Sequence, residues 1–273
     1  MMLSLNENLP ISKLKADGYD VYIVGGAVRD IILELPLQDI DITVFGGDYR
    51  NYADLLARRI RRRPISFKGN IRLPFGRFHI DISAPRGEDI RADLALRDFT
   101  INNLALNLEG GLLGDPSDIY AKKIKPAYPR SLLDDPIRIL RAFRFAALLD
   151  FELTESFFAL AGEACPFIRG VANERICQEL RYFSCADPNE YLYEQLAHYG
   201  ILQTVFGFEP NLKTLIRTMK SVYSRVNRDI LFPIFLAALY VDSRKNIKRE
   251  LKTLTVSNDE QDTAQNLIRL ATD

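Results

Sequence analysis

Two hydrophobic patterns divide this chain near its middle. Over residues 20–125, short apolar runs alternate with polar or glycine-rich turns, which predicts alternating strands and helices. From Asp134 onward, apolar residues recur every three or four positions and glycine and proline become sparse, which predicts helices. The pattern therefore predicts an α+β protein, in which a mixed α/β head is followed by an all-α region. We place the boundary between Ile124 and Asp134.

The spacing of apolar residues also predicts individual elements, with strands marked by alternation and helices by a period near 3.6. The predicted strands are residues 20–24, 39–45, 69–73 and 77–83. The predicted helices of the head are residues 28–35 and 51–60. The predicted helices of the all-α region are residues 137–149, 154–164, 173–184, 189–199, 211–226, 229–242, 244–254 and 257–270. No strand is predicted after residue 134.

The composition is ordinary for a globular protein, with 47% hydrophobic and 26% charged residues. No apolar run is long enough to cross a membrane, so no membrane-spanning helix is expected. Residues 1–10 lack the basic and then apolar order of a secretory signal. The 36 basic residues balance 36 acidic ones, which argues against a general nucleic-acid binder but leaves room for a local basic groove.

The cysteines and the basic runs add little chemistry. Cys165, Cys177 and Cys185 are odd in number and show no C-x-x-C spacing, so we expect reduced, buried thiols in a cytoplasmic protein. The densest basic run, residues 58–63 (RRIRRR), is better interpreted as a solvated helix end than as a binding patch.

The most informative candidate chemistry is the carboxylate pair Asp39 and Asp41. Residues two apart in a strand point to the same face, so the two side chains could hold a divalent metal. Upstream, residues 25–30 (GGAVRD) place a glycine turn before a helix, where backbone N–H groups can meet phosphate. Together these features predict Mg²⁺-assisted phosphoryl or nucleotidyl transfer. The alternative is that both aspartates merely flank an edge strand.

Four segments in order carry a resemblance to a known family. They are residues 25–30 (GGAVRD) with 39–43 (DIDIT), 97–106 (RDFTINNLAL), 134–146 (DDPIRILRAFRFA) and 174–180 (ERICQEL). Their order and spacing resemble the class II, bacterial-type tRNA nucleotidyltransferases and the related poly(A) polymerases. The resemblance implies a polymerase-β-like head at residues 1–125, a helical neck with a base-selecting helix at 126–205, and a helical body with a short tail at 206–273.

The resemblance also implies an activity, namely template-independent addition of C and/or A from CTP and ATP to the 3′ end of tRNA, with release of pyrophosphate. Asp39 and Asp41 would bind Mg²⁺ and carry catalysis, since hard oxygen ligands suit that ion. Gly25 and Gly26 would let the triphosphate approach the backbone. Arg29 would clamp a phosphate, because a guanidinium matches phosphate oxygens.

A second matching segment contains Arg97, Asp98 and Asn102, which the resemblance assigns to nucleotide binding. An Asn side chain can hydrogen-bond to ribose hydroxyls, which would favour NTP over dNTP. The alternative for Asn102 is a helix cap. Leu96 stands where the family usually has an additional arginine, so one substrate contact is in question, and Asn103 stands where the family commonly has alanine.

The third segment suggests how a base is chosen. Asp135 and Arg138 are expected on one face of a helix, where the carboxylate accepts from the amine of C or A and the guanidinium donates to the ring. The alternative is a salt bridge between these two residues. Arg141 and Arg144 continue the stripe and would bind nucleotide or RNA, or simply solvate that face. The ERICQEL segment is expected to hold the neck helices.

The specific product stays open at this stage. The short connection at residues 84–96 resembles that of CC-adding members. A poly(A) polymerase and a catalytically decayed RNA-binding relative are the alternatives. Leu96 and the zero net charge favour the decayed relative, whereas the retained Asp39, Asp41, Asp135 and Arg138 argue against it. The sequence leaves the oligomeric state undetermined.

Overall fold

The computed structural model describes residues 11–37, 39–67, 69–76, 78–243 and 247–272. It divides the chain into two compact units, residues 1–131 and 132–273. The division falls inside the interval 124–134, at a short helix. The predicted further division of the helical part after residue 205 stays a prediction.

Unit 1 combines one large sheet with short helices. Its strands are β1 (Asp20–Val24), β2 (Asp39–Phe45), β3 (Ile65–Phe67), β4 (Asn70–Phe75), β5 (Phe78–Ser83), β6 (Ala105–Asn107), β7 (Leu112–Leu113) and β8 (Lys123–Ile124). Its helices are α1 (Ile11–Leu14), α2 (Gly26–Ile32), α3 (Tyr49–Ile60), α4 (Ile90–Ala95) and α5 (Ser117–Tyr120), with a 3₁₀ turn at Thr100–Asn102. The helix α6 (Ser131–Asp134) spans the division between the units.

The sheet has seven strands in the order β3-β4-β5-β2-β1-β6-β7. Neighbouring strands are antiparallel except β2 and β5, which run parallel. The predicted bounds of β1 and β2 are confirmed, and the predicted hairpin is β4 with β5. Arg77, the first residue of the second predicted hairpin strand, lies outside the described residues. The parallel pairing places β5 directly beside the strand that carries Asp39 and Asp41.

The two faces of β2 differ sharply in burial. Ile40, Ile42 and Val44 are fully buried, and β2 packs against α2 and α3 on that side. Asp39 and Asp41 alternate with them and are exposed on the opposite face. The two carboxylates therefore share one open face of the sheet, as the two-residue period predicted.

The two helices predicted in unit 1 form with shifted ends. α2 begins two residues earlier than predicted, at Gly26, and ends at Ile32. α3 begins at Tyr49 because the side chain of Asp48 accepts a hydrogen bond from the Arg50 amide and caps the helix. α3 ends inside the basic run, and the residues at positions 61–63 are exposed, as expected for a solvated helix end.

Unit 2 is helical apart from one very short strand. Its elements are α7 (Ile137–Leu149), β9 (Glu152–Leu153), α8 (Glu155–Ala164), α9 (Asn173–Ser184), α10 (Glu190–His198), α11 (Ile201–Phe206), α12 (Leu212–Val222), α13 (Leu231–Tyr240), α14 (Ile247–Thr253) and α15 (Asn258–Thr272). All ten residues of α13 are buried, so this helix is the centre of the core of unit 2. The predicted α+β class, a mixed sheet with helices followed by helices, is confirmed.

Several predictions for unit 2 were wrong in detail. β9 is a strand beyond residue 134, where none was predicted. α11 was missed because it is only six residues long and lies between two glycines in the left-handed region, Gly200 and Gly207. The helix predicted at 211–226 ends at Val222, and α13 starts at Leu231, after a 3₁₀ turn. Residues 244–246 of the next predicted helix lie outside the described residues.

The remaining expectations concern membranes and thiols. Among the described residues, no helix is both long and apolar enough to cross a bilayer. The prediction that no secretory signal is present rests on residues 1–10, which lie outside the described residues. All three cysteines are free thiols; Cys165 and Cys177 are buried as predicted, and Cys185 is half-buried.

Candidate active site

The exposed face of β2 and β5 carries a row of ionisable side chains. The parallel register pairs Asp39 with His79 and Asp41 with Asp81. Ile80 and Ile82 are fully buried, so His79 and Asp81 point to the same face as the two aspartates of β2. This face thus brings three carboxylates and one imidazole together.

Asp81 is already held by a cation. Arg72, its partner in the register of β4 and β5, donates from Nε to Oδ1 at 2.7 Å and from Nη2 to Oδ2 at 2.6 Å. The same Nη2 lies 3.7 Å from Oδ2 of Asp39. The guanidinium therefore neutralises Asp81 and also lies beside one of the two predicted metal ligands.

Asp39 has a second neighbour on its other oxygen. Nδ1 of His79 lies 3.2 Å from Oδ1 of Asp39, and both side chains are about half exposed. Arg72 approaches Oδ2 of the same carboxylate. Asp39 is thus oriented from two sides while it remains open to solvent.

The environment of Asp41 disfavours its negative charge. Part of the side chain is exposed, yet protein atoms surround its carboxyl group, and this burial raises its pKa above the usual value. The negative charge of Asp81 raises the pKa further, whereas the guanidinium of Arg97 acts in the opposite direction. A bound cation would relieve this repulsion between carboxylates.

The glycine turn after β1 is packed against two arginines. Gly25 has a positive φ of 69°, and a Cβ atom there would lie 2.8 Å from Nη1 of Arg97. At Gly26, a Cβ atom would lie 3.4 Å from Nη2 of Arg29. Gly25 therefore lets the guanidinium of Arg97 approach the backbone at the start of α2, and the guanidinium of Arg29 lies beside Gly26.

Arg97 is positioned by a buried carboxylate that the sequence did not single out. Its Nη2 and Nε donate to Oδ2 of Asp93 at 2.8 Å and 3.2 Å. Asp93 is only 1% exposed, and its other oxygen accepts from the Arg86 amide at 2.8 Å. Leu96, at the position of the missing family arginine, is 45% exposed at the end of α4.

Arg29, Asn102 and Asp98 form one buried hydrogen-bonded chain. Nη1 of Arg29 donates to Oδ1 of Asn102 at 2.8 Å, and Nδ2 of Asn102 donates to Oδ1 of Asp98 at 3.0 Å. Arg29 also donates from Nε and Nη2 to Oδ1 of Asp30, at 2.9 Å and 2.7 Å. The alternative of a helix cap for Asn102 is wrong, because its side chain links Arg29 to Asp98 instead. The structure shows Arg29 as a buried link, and its role as a phosphate clamp stays a prediction.

The donor set on this face suits a hard divalent cation. Asp39 and Asp41 offer carboxylate oxygens, which are the ligands that Mg²⁺ prefers. Within the residues the structure describes, no three His, Cys, Asp or Glu side chains converge on one metal position. Because Arg72 engages Asp81, the two carboxylates of β2 are the ligands that remain, and the other ligands would come from substrate and water.

Unit 2 contains the residues predicted to select the base. The expectation that Asp135 and Arg138 lie on one continuous helix was wrong: Asp135 lies between α6 and α7, directly before Pro136. A residue before proline is disfavoured in the helical region, which explains the break. The Arg138 amide donates to the Asp135 carbonyl at 3.0 Å, so Asp135 still adjoins the first turn of α7.

The Asp135 carboxylate is held by α9. Nη2 of Arg175 donates to Oδ2 of Asp135 at 2.7 Å. The segment expected to hold the neck helices therefore orients the predicted base-selecting carboxylate. Arg175 itself was expected to be structural, and no pattern in the sequence identifies Asp135 as its partner.

Arg141 and Arg144 of α7 share one carboxylate, that of Glu179 on α9. Nε of Arg144 lies 2.6 Å from Oε2 of the buried Glu179, and Nη1 of Arg141 lies 3.7 Å from its Oε1. The guanidinium of Arg144 also lies over the rings of Phe145 and Tyr182, at 4.3 Å and 5.4 Å from their centroids. Arg141 and Arg144 are thus held by Glu179 and also remain partly exposed to solvent.

Comparison with known proteins gives one matching family model and several relatives. The model described as the poly A polymerase head domain matches residues 21–125. The CC-adding tRNA nucleotidyltransferase of Geobacter sulfurreducens is 38% identical over 211 residues, which cover 73% of this chain and 48% of that protein. The A-adding tRNA nucleotidyltransferase of Aquifex aeolicus is 33% identical over 220 residues, which cover 71% of this chain and 27% of that protein. The chain thus spans about half or less of these two relatives.

A solved structure extends the similarity beyond the head. It is a tRNA nucleotidyltransferase complexed with a primer tRNA and an incoming ATP analog. The two chains superpose with a TM-score of 0.79 at 28% identity, over 92% of this chain and 80% of the other.

Proposed function

The chain belongs to the family of tRNA nucleotidyltransferases and poly(A) polymerases, and we propose that it adds C and/or A from CTP and ATP to the 3′ end of tRNA. In this reaction the 3′-hydroxyl of the primer attacks the α-phosphate, a new phosphodiester forms, and pyrophosphate leaves. No template is involved. As a tRNA-processing activity, it is expected in the cytoplasm.

The observation that carries the proposal is the pair of aspartates on the open face of β2. The side chains of Asp39 and Asp41 are both partly open to solvent, and the pKa of Asp41 is raised first by the protein atoms around its carboxyl group and then by the negative charge of Asp81. The two carboxylates of β2 would hold Mg²⁺. The ion would act as a Lewis acid on the triphosphate and would activate the attacking hydroxyl. His79 and Arg72 orient Asp39 for that task.

The two arginines beside the glycine turn support binding of the triphosphate. Arg97 approaches Gly25 and is fixed by Asp93, so its guanidinium is preorganised for an anion. Asn102 and Asp98, joined to Arg29, would receive the ribose. Because this chain of hydrogen bonds is buried, its geometry is fixed before substrate arrives.

Selection of C and A is proposed for Asp135 and Arg138. A carboxylate accepts from the exocyclic amine of either base, whereas U and G present carbonyl oxygens at the corresponding position. Arg175 holds the carboxylate in one orientation. The proposal therefore separates transfer, carried by unit 1, from base choice, carried by unit 2.

One feature favours CC addition over the complete CCA sequence. The connection between β5 and Arg97 is short, and α4 occupies six of its residues, capped by the side chain of Asp89. The Geobacter relative, named as CC-adding, is 38% identical. Addition of two C residues is accordingly the first product to test.

The test is primer extension by the purified chain with Mg²⁺ and labelled CTP or ATP, separately and together. The primers are tRNA transcripts that end at the discriminator base, at C and at CC. Two C residues on the shortest primer, with no A, would support CC addition. A single A on the CC primer would indicate an A-adding enzyme, and CCA on the shortest primer a complete one.

Two outcomes would overturn the proposal. A long A tail on RNAs of any kind would identify a poly(A) polymerase. No incorporation by folded protein that still binds tRNA would identify a decayed RNA-binding relative. Asp20→Asn, an exposed change on the neighbouring strand β1, serves as the control that leaves the aspartates of β2 intact.

A further inference from the structure

An exposed aromatic ring, that of Tyr182, lies beside Arg144 of α7. Most apolar residues of α7 are buried, and the half-buried Arg138, Arg141 and Arg144 recur at every third position. Tyr182, on α9, is 46% exposed and lies with its ring centroid 5.4 Å from the guanidinium carbon of Arg144. A line of guanidinium groups thus leads from the predicted base-selecting residues to an open tyrosine.

Tyr182 is held in place rather than loosely attached to the surface. Arg144 is only 16% exposed, and Glu179, one turn before Tyr182 on α9, binds it at 2.6 Å. The same guanidinium also covers the buried ring of Phe145. Because Arg144 is fixed by Glu179 and Phe145, the tyrosine ring next to it has a defined position while nearly half of its surface remains accessible.

An exposed aromatic ring beside cations is the arrangement by which proteins bind single-stranded nucleic acid. The ring stacks on a base of any sequence, and the cations meet the phosphates. We propose that Tyr182, with Arg141 and Arg144, binds the single-stranded 3′ end of the RNA primer by stacking on one of its bases. The proposal rests on the proposed function, since it assumes an RNA substrate.

The spacing along α7 distinguishes primer from incoming nucleotide. Arg144 lies six residues beyond Arg138, which corresponds to about 9 Å along the helix at ~1.5 Å per residue. Stacked nucleotides are separated by about 3.4 Å. We therefore assign the ring beside Arg144 to a base of the primer rather than to the base read at Arg138.

The experiment measures RNA binding without nucleotide or metal, so that it does not depend on catalysis. A tRNA primer ending in CC carries the fluorescent base 2-aminopurine at each of its last four positions in turn. Stacking on Tyr182 quenches one of these positions in the wild-type protein. We expect Tyr182→Ala to abolish that quenching and to weaken binding of the single-stranded end about 5- to 150-fold, the usual range for loss of one stacked base.

Two further variants separate stacking from general damage. Tyr182→Phe keeps the ring and should retain both quenching and affinity. Tyr191→Ala removes a tyrosine on α10 that is 51% exposed, and it should change neither. In steady-state transfer, Tyr182→Ala should raise KM for the primer while leaving KM for CTP and ATP unchanged.

The proposal is wrong if no primer position is quenched by the wild-type protein, or if Tyr182→Ala binds as tightly as wild type. It is also wrong if Tyr191→Ala weakens binding equally. These results are distinguishable from failure of the proposed function, because wild-type transfer is scored separately. Protein that transfers C or A normally but shows no role for Tyr182 refutes only the stacking site.

Discussion

The ionisable side chains on the sheet of unit 1 and around α7 of unit 2 differ in how far their charges are paired with opposite charges. On the sheet, three carboxylates share one face, and burial, followed by the negative charge of Asp81, raises the pKa of Asp41. Beside α7, two of the charged side chains are held by opposite charges on α9: Arg175 engages Asp135, and Glu179 engages Arg144. The face of unit 1 therefore keeps a repulsion between carboxylates that a cation would relieve, whereas Asp135 and Arg144 of unit 2 already have partners within the protein.

The difference suggests how substitutions should act. A site that depends on an added cation loses its whole function when a ligand is removed, because no other group supplies the charge. A site that depends on orientation loses discrimination while the reaction continues. Four predictions test this contrast, beginning with the largest expected effect.

Asp41→Asn removes one of the two carboxylates of β2 and should lower the rate of transfer about a thousandfold or more, since metal assistance is worth several kcal/mol. The measurement is single-turnover extension of a tRNA primer with saturating CTP. Asp20→Asn, on β1, is the matched control and should retain wild-type activity. A loss of less than tenfold for Asp41→Asn would contradict the assignment.

Arg175→Ala should release Asp135 and reduce the preference for C and A over U and G about 5- to 150-fold, the range for one well-oriented polar contact to a base edge. The rate with CTP should fall far less than in Asp41→Asn. Competition among all four nucleotides measures the preference. Arg169→Ala, an exposed arginine of the same unit, is the control. Unchanged preference in Arg175→Ala would show that Asp135 does not depend on α9.

Arg72→Gln removes the cation that engages Asp81 and lies near Asp39. Divalent metal should then bind about tenfold more tightly, because the carboxylates that Arg72 no longer neutralises attract the cation more strongly. A tenfold change in affinity corresponds to ~1.4 kcal/mol of binding free energy. Titration with Mn²⁺, followed by electron paramagnetic resonance, measures the affinity. The double variant Arg72→Gln with Asp81→Asn should return toward the wild-type value. Equal affinities in all three proteins would show that Arg72 has no influence on the metal site.

The smallest predicted effect concerns stability without metal. In the folded protein the pKa of Asp41 is raised, so the protein binds its proton more readily than the unfolded chain, and stability falls as pH rises from the ordinary value of 3.8 through the raised one. Asp41→Asn should therefore raise Tm near neutral pH, by about a degree or two for a partly exposed group.

This gain should disappear at low pH. Below the ordinary pKa of 3.8, the wild-type carboxyl is also neutral, and the two proteins should unfold at similar temperatures. Thermal unfolding in a chelator at both pH values makes the comparison. A lower Tm for Asp41→Asn near neutral pH would mean that the carboxylate is stabilising, contrary to the account of the sheet.

The same comparison explains what the sequence could predict. The bounds of β1, β2 and α7 were predicted correctly because long apolar patterns with clear ends determine them. The shared face of Asp39 and Asp41 follows from the two-residue period alone. Asp81 could have been recognised from the alternation of β5, since it lies on the same face as His79.

The partners of these residues could not be predicted in the same way. Asp81 and His79 lie beside Asp41 and Asp39 only because β5 runs parallel to β2 and adjacent to it, and strand order is a tertiary property. Likewise, the pairing of Arg175 with Asp135 requires α9 to pack on α7, forty residues away in the chain. Local patterns predict elements and faces, whereas long-range packing determines the charge partners.

The most direct test of the division between transfer and base choice is one competition assay. Wild-type protein, Asp41→Asn and Asp135→Ala are each given a tRNA primer, Mg²⁺ and equal amounts of the four nucleoside triphosphates, and the incorporated bases are sequenced. The account predicts C and/or A alone for wild type, no product for Asp41→Asn, and all four bases for Asp135→Ala. Incorporation of all four bases by wild type, or unchanged selection by Asp135→Ala, would contradict it.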